Sequence, residues 1–261
     1  MSASSHHNNI LNNVFSDFNY EDEDQNHQGN GYETLQIRDP GNKQGESWTR
    51  VEGNYFFNLN PETEIISVKS RHNEIRGNAF EASQGGVTLR DGDCNSVTGN
   101  VFDGHDKDGS YGVRIFNKHH EVSDNWMMRL REGGLRIGAG EADHVPAENV
   151  TMEANMIQDC REAIRLGDGY EEHPREPIVF IQNFVSNESN DPLIEKNPPE
   201  CQYDFSRGNY FFGSNLGWDN EDEEIPRGLE WDKNFMDLGS DGLLRLNEIK
   251  CNAGPSWEKN C

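Results

Sequence analysis

The segment Asn60-Pro61-Glu62-Thr63-Glu64 places two carboxylates at i and i+2. On an extended backbone those side chains share a face. Asn30 lies eight residues before Arg38, and Glu62 lies seven before Lys69. If the runs ending at Arg38 and Lys69 stack as adjacent strands, Asn30, Glu62 and Glu64 converge as hard oxygen ligands, a set that suits Ca2+. Glu33, level with Glu64 one run away, could substitute for or support one of them. A second group is basic. Arg38, Lys69 and Arg90 each close a short apolar run, and Arg114 and Arg136 sit at the centre of later ones. Gathered on one surface, they would receive a polyanion. The alternative is that such arginines are solvated or paired with the abundant acids.

Bringing these residues together requires a repeating element. A short phrase recurs along the chain: polar residues, an apolar residue, then Asn followed by an aromatic or apolar residue, as in TRVEGNYF, NEIRGNAF and NSVTGNVF. The repeated asparagines are Asn13, Asn54, Asn78, Asn100, Asn125, Asn155, Asn183 and Asn209, with gaps of 41, 24, 22, 25, 30, 28 and 26 residues. Each phrase precedes a strand-like run with alternating apolar residues: Leu35/Ile37, Ile66/Val68, Val87/Leu89, Val113/Ile115, Leu135/Ile137 and Ile164/Leu166. Short strands at this period, separated by Gly and Asn turns, predict an all-β, right-handed single-stranded parallel β-helix, with asparagines stacked as a ladder. Residues 1–212 are expected to form the coils that carry the site. Residues 213–261 lose the repeat and are expected to pack on them as an irregular segment.

Stacking the apolar pairs leaves Gln36, Ser67, Thr88, Arg114, Arg136 and Arg165 as the outward residue of successive coils. Neighbouring coils are ~4.8 Å apart, so Lys69 and Arg90 are expected one above the other, with Arg38 and Arg114 nearby. Like charges stacked on a sheet destabilise it, so a basic column invites a functional explanation.

The composition restricts the partner. The chain has 261 residues, 47 acidic and 23 basic, for a net charge of −24. That argues against a nucleic-acid binder, which would present a basic surface. No run approaches the ~18 apolar residues of a membrane span. Thirty Asn and 26 Gly disfavour a helix bundle. Residues 1–20 show no signal peptide. Cys94, Cys160, Cys201, Cys251 and Cys261 have no zinc spacing; Cys251 and Cys261 could bridge, or remain free. The acidic runs EDED at 21–24 and EDEE at 221–224 read as solvated loops.

The sequence resembles polysaccharide lyase family 6, which contains alginate lyases and the dermatan-cleaving chondroitinase B. The resemblance is carried by NGYET at 30–34, ETEIISVKSRHNEIRGNAF at 62–80 and GGVTLRDGDCNSVTGNVF at 85–102, and extends to AGPSW at 253–257. It implies calcium-assisted β-elimination of uronic-acid polymers. Lys69 matches the family's base, and Arg90, 21 residues on, its catalytic arginine. Asn30, Glu62 and Glu64 match its calcium ligands, and Arg114 a substrate-binding arginine. Arg136, in the next coil, would hold a further sugar carboxylate. Two departures stand out. Asp91 replaces the histidine that commonly follows the catalytic arginine, and the family's N-terminal coils and export signal are missing.

The expected substrate is mannuronate-containing alginate, with a dermatan or chondroitin-type polymer as the rival. A third expectation, from another class, is a catalytically weak β-helix that only binds acidic polysaccharide. A monomer is expected, and for the full-length form a secreted or periplasmic location.

Overall fold

The computed structural model describes residues 7–19, 32–38, 45–61, 63–139, 144–168, 176–196, 203–218 and 224–234. Among them the regular structure is entirely strand, in three parallel sheets of eight, nine and seven strands. Each strand pairs with its equivalent one coil away. One coil, for example, runs through Glu74–Arg76, Ala79–Glu81 and Gly85–Asp91. This is the parallel β-helix that the repeat predicts.

The local reason is alternation. In the third sheet Ile66, Val68, Val87, Leu89, Val113, Ile115, Leu135, Ile137, Ile164 and Leu166 all point inward and are at most 1% exposed. Each contributes about 1.5–3 kcal/mol by leaving water. In the second sheet Phe15, Phe56, Phe80 and Phe102 stack face to face, with ring centroids 4.6–4.9 Å apart. The strand Leu229–Asp232 pairs with Asn209–Phe212 and extends this sheet beyond residue 212. The segment 235–261 lies outside the described residues, as do Cys201, Cys251 and Cys261 and the acidic runs, Glu224 excepted.

All eight repeated asparagines form one ladder at the corner between the first two sheets. At every step the side-chain amide donates to the Oδ1 of the next asparagine at 3.0 Å. The same Oδ1 also accepts the preceding asparagine's backbone N–H, as Asn100 does for Asn78 at 2.9 Å. The residue before each ladder asparagine turns left-handed. Gly takes that place at Gly53, Gly77, Gly99 and Gly208, with φ of 57° to 69°, which accounts for the recurring Gly-Asn pair.

A second ladder sits at the corner after the third sheet. The backbone N–H of Thr49 donates to Asn73 Oδ1, and that of Asn73 to Asn95 Oδ1. The backbone N–H of Asn95 donates to His120 Nδ1 at 3.1 Å. His120 Nε2 then donates to the Phe116 carbonyl at 2.8 Å, so the ring is the neutral Nε2–H tautomer. Burial pushes its pKa down to about 4.

Candidate active site

The candidate site occupies the outward face of the third sheet. The outward column is the expected one: Gln36 pairs with Ser67, Ser67 with Thr88, Thr88 with Arg114, Arg114 with Arg136, and Arg136 with Arg165. Arg38 stands opposite Lys69.

The structure departs from the expected stack at one point. Val68 pairs with Leu89, but Lys69 pairs with Asp91, because the register slips by one residue between them. Arg90 is the extra residue of a β-bulge, a device that re-aims a side chain. Lys69 and Arg90 therefore do not stand one above the other.

Three of the cations have a carboxylate. Lys69 Nζ lies 2.8 Å from Glu33 Oε1, which also accepts a hydrogen bond from Gln36 Nε2 at 2.9 Å. Burial alone would raise the Glu33 carboxyl, but the hydrogen bonds from Lys69 and Gln36 outweigh it and hold it below the usual carboxylate range. Arg90 Nη1 donates to Glu64 Oε1 at 2.8 Å. Arg136 Nη1 lies 3.8 Å from Glu132 Oε2. The basic column thus lies within an acidic frame, which relieves like-charge stacking.

The calcium expectation can be tested at Glu64. Its side chain is 2% exposed, and its Oε2 is buried without a hydrogen-bond partner. An uncompensated buried carboxylate oxygen is costly, and a hard cation is a fitting partner for it. Asn30 and Glu62 lie outside the described residues. Among the described residues no group of three His, Cys, Asp or Glu side chains is arranged to hold a metal.

Tyr111 is a member of the site that the repeat did not reveal. Its side chain is buried, with its hydroxyl 2.8 Å from Thr88 Oγ1. Burial and the charge of Glu64 raise its pKa. The Arg136 guanidinium lies 5.6 Å from the Tyr111 ring centroid, and that of Arg114 lies 5.0 Å from the Phe116 ring. Gly86, opposite Glu64, permits this packing, since a Cβ there would lie 2.2 Å from the Tyr111 carbonyl oxygen. The two rings thus support guanidinium groups on the sheet face.

The arrangement can hold a carboxylate-bearing chain on Arg114 and Arg136 while presenting an amine and a guanidinium, Lys69 and Arg90, to it. The Chondroitinase B family model matches residues 3–176. A mannuronic acid specific polysaccharide family 6 lyase from human gut microbiota is 28% identical, with 99% of this chain covering 60% of that one at a TM-score of 0.76. The family 6 alginate lyase AlyGC is 27% identical, with 92% of this chain covering 33% of that one at a TM-score of 0.71. Another family 6 alginate lyase, in complex with a trisaccharide, is 22% identical (80% and 52% covered, TM-score 0.63) and shows the fold alone. The chain thus spans less than two thirds of the length of these enzymes. No curated protein matches it. Two thirds of the chain match the family model and nearly all of it overlays family structures, so the chain belongs to the chondroitinase B family, polysaccharide lyase family 6.

Proposed function

We propose that the chain carries the active site of a lyase that cleaves uronic-acid polymers by β-elimination, with mannuronate-containing alginate as substrate. The observation that carries this reading is the placement of Lys69, Arg90, Arg114, Arg136 and the half-satisfied Glu64 on one face of a single sheet. The mannuronic acid specificity in the description of one similar structure supports the choice of polymer.

The chemistry follows from these groups. Lys69, as free amine, takes the proton from C5 of the uronate. The C5–H electron pair forms the C4–C5 double bond as the C4–O bond breaks. Arg90 stabilises the leaving oxygen by hydrogen bonding. A guanidinium rarely gives up its proton, so water supplies the one that the leaving oxygen takes. Arg114 and Arg136 bind carboxylates of flanking sugars through charge-assisted hydrogen bonds. A calcium held by Glu64, with Asn30 and Glu62, would neutralise the carboxylate next to C5 and so favour loss of the proton. A polymeric substrate of this kind supports a secreted or periplasmic location.

The rival polymer is dermatan or a related chondroitin, favoured by the description of the matching family model. A panel of alginate and dermatan sulfate, assayed for the ultraviolet absorbance of the unsaturated product, separates the two. Binding of alginate without any rise in absorbance would replace both with a non-catalytic polysaccharide-binding β-helix.

A further inference from the structure

The outward column does not end at Arg136. Arg165 follows in register, and the next residue after it is Glu195. The charge therefore changes sign at the fourth place. Arg165 Nε lies 3.4 Å from Glu195 Oε2, and its Nη1 lies 3.8 Å from Glu162 Oε2. Two carboxylates thus face one guanidinium. Burial, a hydrogen bond to Glu195 and that residue's charge raise the Glu162 carboxyl to about 6, against the pull of Arg165 and Arg161. Arg136, by contrast, is faced among the described residues by one acid, Glu132, and is flanked by Arg114 and Arg165.

A polyanion lying along the solenoid axis meets one strand position every ~4.8 Å. It meets the guanidinium groups of Arg114 and Arg136, then at Arg165 a guanidinium already faced by two carboxylates, and then a carboxylate at Glu195. A sugar carboxylate arriving at Arg165 has to displace an acid already there, next to a second like charge.

We propose that Glu195, backed by Glu162, is the end-stop of the substrate track and so sets how long a uronate chain gains affinity in that direction. This rests on the polyuronate reading above. It assigns Glu195 and Glu162 a role in chain-length specificity and none in the bond cleavage.

The test uses mannuronate oligomers of increasing length, from the disaccharide upward, with binding measured by calorimetry. Lys69→Ala is the background throughout, to prevent turnover. In that background affinity should rise with length and then level off. Adding Glu195→Gln should leave the short oligomers unchanged and tighten those that reach Arg165 by about fivefold. Adding Arg165→Ala to Glu195→Gln should abolish the gain. Glu162→Gln should give a smaller gain of the same kind, and serves if Glu195→Gln lowers the melting temperature. A gain that is equal at all lengths, that survives Arg165→Ala, or that is absent from both glutamine variants overturns the end-stop. If no oligomer of any length binds in the background protein, the polyuronate reading itself falls.

Discussion

Lys69 Nζ and Glu33 Oε1 are 2.8 Å apart, and the Glu33 side chain is only 3% exposed. The group assigned as base is thus held by a buried carboxylate, which also accepts a hydrogen bond from Gln36 Nε2. Glu33 is therefore a positioning residue that fixes the Lys69 side chain on the sheet face.

Lys69→Ala should reduce formation of unsaturated product by roughly 10²–10⁴-fold, the usual worth of a general base. The circular dichroism spectrum and melting temperature should be retained, because Lys69 is not part of the inward core. Product formation at the original rate would place the base elsewhere.

Glu33→Gln should lower kcat while leaving the melting temperature nearly unchanged, because Lys69 loses the carboxylate that fixes it. A fall in melting temperature large enough to account for the lost rate would make the role of Glu33 purely structural.

Calcium should raise the melting temperature of the protein, and Glu64→Gln should weaken that rise, since the orphaned Oε2 of Glu64 would no longer carry its share of charge. The rise should grow with calcium concentration as mass action requires. Chelation should silence product formation reversibly. A melting temperature indifferent to both calcium and chelator would remove the ion from the account.

Asn100→Ala should destabilise the protein by about 3 kcal/mol. Asn100 Oδ1 accepts both the backbone N–H and the side-chain amide of Asn78, which is wholly buried. The substitution strands both donors. Asn13→Ala, at the exposed start of the ladder, should cost under ~1 kcal/mol. Urea denaturation of the two variants provides the comparison.

His120 should make the fold acid-sensitive. Its pKa falls from an ordinary 6.5 to about 4 on burial in its neutral form. The stability this contributes is fully present above about 6.5 and is lost as pH falls towards 4. The total loss is about 3 kcal/mol. His120→Asn should flatten that dependence, because an asparagine can accept the Asn95 N–H as Asn73 and Asn95 accept theirs. Denaturation midpoints at neutral and mildly acidic pH would show it.

The parts of this fold legible in the sequence are those that repeat. The eight asparagines could be picked out because each does the same job in its own coil. The outward column from Gln36 to Arg165 was equally readable, since strand alternation has a fixed period. The Arg90 bulge was not readable, because one extra residue leaves no trace in an alternation judged coil by coil. The pairing of Glu33 with Lys69 spans 36 residues and a stretch outside the repeat. Glu33 therefore suggested only a metal ligand. Tyr111 escaped notice because its role depends on what lies across it in neighbouring coils, namely Thr88 and Arg136.

The asparagine ladder also has a direction. Every side-chain amide from Asn13 to Asn183 donates toward the C-terminal neighbour, and every one from Asn54 to Asn209 accepts from the N-terminal one. The amide dipoles are therefore aligned head to tail, so each bond polarises the next. The row ends at Asn209, whose backbone N–H turns to the Gly228 carbonyl instead. Such a row is vectorial: a coil grafted after Asn209 could join it only by offering an acceptor, and one grafted before Asn13 only by offering a donor. The ladder thus fixes the orientation of every coil that joins it.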